Sequence, residues 1–356
     1  MATLSLCMIV KDEEDVLERC LSSVSDIVDE MIIVDTGSTD KTIAIADKFH
    51  CSIYAYKWIH DFAAARNYSF SKATKDYILW LDADDVLLES DRAKLRALKE
   101  KMHDADAYSM FYHYATDEQG NVTLRFRRHR IVKRIKAFKW HGFVHEYLQV
   151  EGHVVNTDIA ITHKRIHQAG DRNLRLYRQK EEEGYPFDAR DTYYYAKELY
   201  DNARYEDAIK KFNEFLGMET GWIEDKIAAC NKLADYYVAL KNYKTSRHYL
   251  LKTLEYDTPR GEACYRLGCS YQEENRIQEA IFWLTLATNL KPPDDDWGFM
   301  DESNYTWLPH LQLCLCYYDK GDLNEAYRHH KLAQAYNPKD KHVIYNQSYF
   351  KSIGYP

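Results

Sequence analysis

Along the first hundred residues, short runs that are apolar throughout alternate with stretches whose apolar residues recur every three or four positions. Leu4–Val10, Met31–Val34, Ser52–Tyr56 and Tyr77–Leu81 are the runs, and Glu13–Ser25, Thr39–Phe49 and Ala63–Thr74 are the amphipathic stretches between them. Strands that are apolar on both sides suit a parallel sheet covered on both faces, with the helices as crossovers. After about residue 105 the grammar changes. Ala107–Tyr114 and Val122–Arg130 flank the turn signal Asp117-Glu118-Gln119-Gly120-Asn121 and predict a hairpin, and further strands are expected over Val144–Val150 and Val154–Thr162. The pattern predicts a mixed α/β domain over residues 1–165 and a linking helix over 166–188.

From residue 189 onward the chain is helical and repetitive. Leu199 and Ala208, Tyr237 and Ser246, Tyr271 and Ala280, and Tyr317 and Ala326 each stand nine positions apart. The small member of each pair recurs at steps of 38, 34 and 46 residues. Small residues let two helices approach while Leu and Tyr fill the gap, so four helix pairs are expected over 189–356. This resembles the tetratricopeptide repeat, whose unit is about 34 residues. The long last step carries an insertion, Pro293–Tyr305, with Asp294-Asp295-Asp296, Trp297 and Phe299. It reads as a solvated loop, or as a mobile flap or a ligand contact.

Composition narrows the function classes. A chain of 356 residues has room for about two domains. With 56 acidic against 48 basic residues the net charge is −8, which argues against a surface built as a whole for nucleic acid. No apolar run approaches the roughly 20 residues needed to cross a bilayer. Leu4–Val10 has no basic residues before it and runs into Lys11-Asp12-Glu13-Glu14, unlike a signal peptide. A cytoplasmic protein with no stable membrane insertion is expected. The cysteines at 7, 20, 51, 230, 264, 269, 314 and 316 form no C-x-x-C pair and read as reduced core residues.

Two strand ends carry candidate chemistry. Val34-Asp35-Thr36-Gly37-Ser38-Thr39-Asp40 follows the second strand and Leu81-Asp82-Ala83-Asp84-Asp85 the fourth. Ligands of open parallel sheets bind beyond the carboxyl ends of the strands, so these acids converge on one crevice. Asp40 and Ser38 also suit a helix cap. Three acids behind a buried strand need a cation or donors to compensate them; Mg²⁺ or Mn²⁺ answers that need, and an exposed acidic turn is the plainer alternative. Between Arg125 and His145 stand Arg125, Arg127, Arg128, Arg130, Lys133, Arg134, Lys136 and Lys139 with no acid. That stretch suits a diphosphate, a nucleic acid or a solvated strand face. His145 beside Glu146 offers a general base, and adjacent strand residues point to opposite faces, so one of the two is expected to meet substrate. His163 closes the last predicted strand as a structural or metal-binding histidine.

Leu6–Glu14, Val34–Thr42, Ala65-Arg66-Asn67 and Leu81–Asp85 occur in the order and spacing of glycosyltransferase family 2, which the chain resembles over about residues 3–165. Trp140–Glu146, His163 and Asp188-Ala189-Arg190 look like the bacterial branch in which such a domain precedes tetratricopeptide repeats, the branch of the sublancin-type peptide S-glycosyltransferases. The domain is also similar to the β-1,4-glucosyltransferases of lipopolysaccharide core synthesis. The resemblance implies a GT-A fold, a Rossmann-like mixed sheet, followed by an all-α tetratricopeptide solenoid.

It further implies that Val10, Asp12, Glu13 and Asp35 border the base and ribose of a sugar nucleotide, with Arg66 and Asn67 against the same nucleotide. Asp82 and Asp84 would form a D-x-D motif for Mn²⁺ or Mg²⁺, with His163 as a late metal or phosphate ligand. Arg128, within the basic stretch, is expected at the diphosphate. Many members place a Glu-Asp pair at the base; this chain has His145-Glu146, and Glu146 is favoured over His145. The implied activity is inverting transfer of a hexose, glucose from UDP-glucose, to a peptide or protein side chain or a cell-surface glycan, with the repeats as acceptor surface or homodimer arm. The alternative is a non-catalytic tetratricopeptide scaffold with a degenerate sugar-nucleotide domain.

Overall fold

Six of the seven residues of Leu4–Val10 are buried, which an edge strand could not achieve. In the computed structural model this run is strand β1 (Leu4–Val10), in the interior of an eight-stranded sheet. The structure describes residues 2–116, 122–166, 170–293, 297–298 and 301–356, and the chain divides into two compact units, Met1–Pro186 and Phe187–Pro356. In chain order the first unit continues with α1 (Leu17–Ser22), β2 (Glu30–Asp35), α2 (Thr42–Lys48), β3 (Ser52–Ala55), α3 (Phe62–Phe70), β4 (Tyr77–Trp80) and β5 (Asp85–Val86). Then come α4 (Glu89–Lys101), β6 (Ala107–Thr116), β7 (Val122–Lys133), β8 (Lys139–His141), β9 (Tyr147–Gln149), β10 (Val154–His163) and α5 (Arg172–Glu182).

The sheet order is β3-β2-β1-β4-β7-β6-β10-β5, with β8 and β9 forming a separate antiparallel pair. β1 to β4 run parallel, β7 is antiparallel to β4 and to β6, and β5 is antiparallel to β10. Alternation along β1 sorts two cores. Leu4, Leu6, Met8 and Val10 pack with Leu17, Leu21 and Ile33 on one face, and Cys7 packs with Ile32, Ile78, Trp80 and Trp140 on the other. This is the mixed α/β sheet that the apolar runs predict.

Three expectations change. The helix expected over Glu13–Ser25 contracts to α1, because Asp12 takes a left-handed φ of 53° and the Glu13 N–H donates to Thr42 Oγ1 at 2.7 Å. The strand expected over Val144–Val150 contracts to β9, and His145 has a φ of 52°, so His145 and Glu146 lie on a loop and not on alternating strand faces. The linking helix, α5, falls within the first unit. The turn at Asp117–Asn121 and the Asp294–Asp296 run lie outside the described residues.

The second unit holds the helix pairs α6 (Ala189–Asp201) and α7 (Tyr205–Leu216), α8 (Ile223–Ala239) and α9 (Tyr243–Lys252), α10 (Gly261–Glu273) and α11 (Ile277–Asn289), and α12 (Trp307–Asp319) and α13 (Leu323–Tyr336). A further helix, α14 (Lys341–Ser352), follows. Ala208, Ser246, Ala280 and Ala326 are each fully buried. Between the helices of each pair one residue is left-handed: Ala203, Lys241, Asn275 and Gly321, with φ of 58°, 54°, 57° and 83°. The next N–H in each case donates back to the residue at the start of the nine-residue spacing. Arg204 bonds Leu199 O, Asn242 bonds Tyr237 O, Arg276 bonds Tyr271 O and Asp322 bonds Tyr317 O, all at 2.8–2.9 Å. This is the Schellman closure of a helix C-terminus. Spacing, turn and buried small residue are thus one device used four times.

A left-handed backbone costs an ordinary residue about 1 kcal/mol more than glycine. Gly321→Ala should therefore lower the unfolding free energy of the helical unit by about 1 kcal/mol, whereas Ala203→Gly should leave it equal or raise it by up to about 1 kcal/mol. Urea unfolding followed by circular dichroism measures both, and the same sign for the two variants would contradict the assigned turn.

Candidate active site

The loops after β1 and β2 are laced together. Asp12 N–H donates to Ser38 Oγ at 3.0 Å, and Asp12 Oδ1 accepts from the Thr39 N–H at 2.7 Å. Glu14 N–H donates to Asp40 Oδ2, whose other oxygen takes the Thr42 N–H. Asp35 accepts from the N–H groups of Gly37 and Ser38 and sets the turn. Val10 and Asp35 are partners in register at the ends of their strands. Of the four residues expected to border the nucleotide here, Asp12 and Asp35 hold the loops in shape. Glu13 is the one whose carboxyl answers to the acids of the next loop: burial first, then Asp84 and Asp82, push it up to about 7.

The loop after β4 is held by two arginines. Arg66, on α3, binds Asp82 Oδ1 through Nη2 at 2.6 Å and Glu146 Oε1 through Nε at 2.5 Å. Its guanidinium carbon lies 4.9 and 4.8 Å from the rings of Trp80 and Trp140, which fix it from two sides. Burial works against ionising Asp82, but Arg66, Arg130 and Arg128 outweigh it and hold the carboxyl well below the usual carboxylate range. Arg130 Nη1 meets Asp85 Oδ2 at 2.9 Å, both side chains being fully buried. Asp85 Oδ2 also accepts the Asp82 N–H at 3.0 Å, so the D-x-D-D loop folds around its last aspartate.

β5 pairs with β10 so that Asp85 stands opposite His163, and Lys164 N–H donates to Asp84 O. His163 Nδ1 is 3.3 Å from Asp84 Oδ1, 3.8 Å from Asp85 Oδ1 and 2.9 Å from the Tyr112 hydroxyl. Burial alone would lower the His163 pKa, but Asp84 and Asp85 push it up to about 9. One ligand atom from each of Asp84, Asp85 and His163 lies within 4.8 Å of the others, a set able to hold a metal ion. Asp85 Oδ1 is buried without a hydrogen-bond partner, the state of an oxygen that waits for a cation. Two carboxylates and an imidazole form a mixed oxygen and nitrogen donor set for a divalent ion. The expected ligands Asp84 and His163 are in this cluster, and Asp85 takes the place expected for Asp82, because Asp82 is turned to Arg66.

The remaining expected residues separate. Asn67 exchanges both hydrogen bonds with the backbone of Trp140, at 2.9 and 3.0 Å, so its amide anchors β8. The basic stretch does not form one patch. Arg127 lies 3.8 Å over Phe111 and donates to Thr157 O, Arg134 donates to Lys75 O, and Lys136 pairs with Asp106. Arg128 and Arg130 face Trp80 and Tyr112 on the acid side of β7. Alternation along β7 separates Arg127 from Arg128 and Arg130, and Arg134 and Lys136 lie beyond the end of that strand. His145 sits with its ring 6.5 Å from that of Tyr177. Asp85 and Arg130 were visible only as members of the acidic run and the basic stretch; their pairing with each other and the place of Asp85 beside His163 come from strand pairing, which no local motif encodes. Six of the eight cysteines are buried and all eight are free.

A mixed sheet of this order, with acids beyond β1, β2 and β4 and helix pairs after it, defines a GT-A domain followed by tetratricopeptide-like repeats. Residues 5–150 match Glycosyl transferase family 2 and residues 261–294 match the Tetratricopeptide repeat, so the chain carries a family 2 glycosyltransferase domain and at least one such repeat. It is 30% identical over 146 residues to the SPbeta prophage-derived glycosyltransferase SunS of Bacillus subtilis, a match covering 40% of this chain and 34% of that protein. It is 50% identical over 97 residues to a TPR repeat-containing protein of Synechococcus elongatus, covering 27% of this chain and 24% of the other. The chain thus spans only a quarter to a third of the length of these curated relatives. Among solved structures, glucosyl-3-phosphoglycerate synthase from Mycobacterium tuberculosis aligns with a TM-score of 0.28 and 21% identity over 31% of this chain and 43% of that one. No helix among the described residues is long and apolar enough to cross a membrane.

Arg66→Met strands the little-exposed Glu146 and takes the nearest partner from Asp82, which is 30% exposed. It should destabilise the first unit by about 2–3 kcal/mol. Adding Glu146→Gln to that variant should return part of the loss, because one stranded charge is then gone. Thermal unfolding of the single and double variants measures the coupling, and equal instability of the two would deny the bridge.

Proposed function

We propose that the chain is an inverting, metal-dependent glycosyltransferase that moves glucose from UDP-glucose to a peptide or protein side chain or a cell-surface glycan. The observation that carries this reading is the gathering of Asp84, Asp85 and His163 within 4.8 Å at the carboxyl-end rim of a parallel sheet. The family 2 match and the likeness to the SunS glycosyltransferase support it.

Asp84, Asp85 and His163 would hold Mn²⁺ or Mg²⁺, and such an ion, when bound, neutralises negative charge developing on the departing diphosphate. Arg128, on the acid side of β7, supplies positive charge from the protein to the same group. Glu13, Val10 and Asp35 border the nucleotide, with the Asp12 and Asp40 loops fixing their positions. Arg66 is a positioning residue: it ties Asp82 to Glu146 and so links the metal loop to the loop bearing the base. Glu146, with one oxygen fixed by Arg66, offers the other to the acceptor proton, and His145 stands beside it. The donor is read as UDP-glucose from the family resemblance, and the helix pairs provide an acceptor surface or a homodimer arm.

Asp84→Ala should depress glucose transfer by about a hundredfold or more while circular dichroism and melting stay near wild type. Undiminished turnover would show the metal assignment to be wrong. Calorimetry with UDP, with and without Mn²⁺, separates this enzyme from a catalytically dead scaffold, which would bind in neither case. Among base candidates, Glu146→Gln should slow transfer far more than His145→Ala.

A further inference from the structure

The second unit contains a small polar pocket of about 50 Å³ at the starts of α8 and α10, lined by Trp222, Glu224, Asp225, Asn231, Arg260 and Glu262 among others. That is room for one or two water-sized groups and far too little for a sugar or a nucleotide. Arg260 is the sole basic residue among those that line it, and it is fully engaged: its two terminal nitrogens bind the Glu224 carboxylate at 2.6 and 2.7 Å, and Nε binds Asp257 at 2.8 Å. Glu262 accepts from the Tyr305 hydroxyl at 2.6 Å.

Two acceptors are left over. Asp225 is only 4% exposed, and the described residues give it neither a hydrogen bond nor an ion pair. Asn231 Oδ1 is buried with no partner. Asp225 occupies the first turn of α8, where a carboxylate ordinarily accepts from backbone N–H groups, yet it accepts none. Burial pushes its carboxyl up to about 7 even though the charge of Arg190 acts in the opposite direction, a cost that a cation bound directly to it would relieve. Buried acceptors with no donor between them, in a pocket with an excess of acids, are a complement to a cation that brings its own hydrogens.

We propose that this pocket binds the ammonium head of a lysine side chain presented by an extended peptide, with Asp225 and Asn231 Oδ1 accepting its hydrogens and Trp222 packing on its stem. Trp222 lines the pocket yet is 44% exposed, which suits an aromatic that covers an alkyl chain and faces a cation. The pocket lies wholly in the second unit and its assignment is independent of the transfer chemistry of the first.

The test uses the full chain at pH 8 and saturation-transfer NMR with the blocked peptide Gly-Ser-Gly-Lys-Gly-Ser-Gly, its acetyl-lysine form and spermidine. The lysine peptide should bind, and acetylation of the peptide or Asp225→Asn in the protein should each weaken binding by about tenfold or more. Asp225→Asn should melt at or above the wild-type temperature, because it removes an unpaired buried charge. Trp222→Ala, at a partly exposed position, gives a second variant that should weaken the lysine peptide without unfolding the chain. Absence of peptide binding, equal binding by Asp225→Asn, or a lowered melting temperature for that variant would overturn the proposal. Binding of spermidine without the peptide would also overturn it, since the occupant would then be a free polyamine.

Discussion

Charge balance at the carboxyl ends of β1 and β4 is the constraint on which the first unit depends. Glu13, Asp82, Asp84, Asp85 and Glu146 gather there, and Arg66 and Arg130 stand between them. The Asp85–Arg130 pair is fully buried, and such a pair offsets its desolvation only when every remaining donor and acceptor is satisfied. Here Arg130 Nε and Nη2 and Asp85 Oδ1 lack partners. Arg130 instead lies 3.9 Å from the Trp80 ring and 4.6 Å from that of Tyr112. Hydrophobic residues of the same volume would stabilise the sheet at least as well, so the arrangement is better explained by what it keeps available: an aspartate oxygen aimed at His163.

Much of this rim was legible in the chain, because acids that directly follow apolar runs must emerge at one edge of a parallel sheet. Asp35, Asp82 and Asp84 announce themselves in that way. The partners that decide their roles do not. Arg130 reaches Asp85 through the order β4-β7-β6-β10-β5, which joins residues far apart in sequence, and Asp85 forms a two-residue strand too short to leave a pattern. The run from Arg125 to Lys139 reads as one basic patch only while its strand is ignored; period-two alternation sends Arg127 to Phe111 and Arg128 to Tyr112. Asp12 and Asn67 were legible as polar residues in the right places, yet their groups are engaged by the Thr39 and Trp140 backbones.

The helical unit shows the opposite case, in which spacing was visible and its cause hidden. Nine residues separate Leu199 from Ala208, and Tyr237, Tyr271 and Tyr317 from their small partners, because the first residue closes a Schellman turn and the last packs in the next helix. Glycine marks that turn only at Gly321; Ala203, Lys241 and Asn275 adopt the same left-handed backbone with side chains attached. The close approach of paired helices sets the small positions. At Gly268 an added Cβ would lie 2.5 Å from Leu284 Cγ, so the α10–α11 contact leaves room for hydrogen alone.

The protons at the acidic rim complete the same argument. His163 is pushed up to about 9 and Glu13 to about 7, each against or with burial but both by the neighbouring aspartates. Without another cation, the carboxylates therefore retain compensating positive charge as protons on the imidazole and, in part, on Glu13. Asp84, Asp85 and His163 would hold a divalent ion only with His163 neutral, and such an ion would supply that charge in place of the protons. The two states would share one set of residues and differ in what neutralises them. The arginines hold the loop through Asp82 Oδ1, Glu146 Oε1 and Asp85 Oδ2, while Asp85 Oδ1 stays without a hydrogen bond 3.8 Å from His163. Geometry that survives the exchange of proton for metal is the physical meaning of a preorganised site.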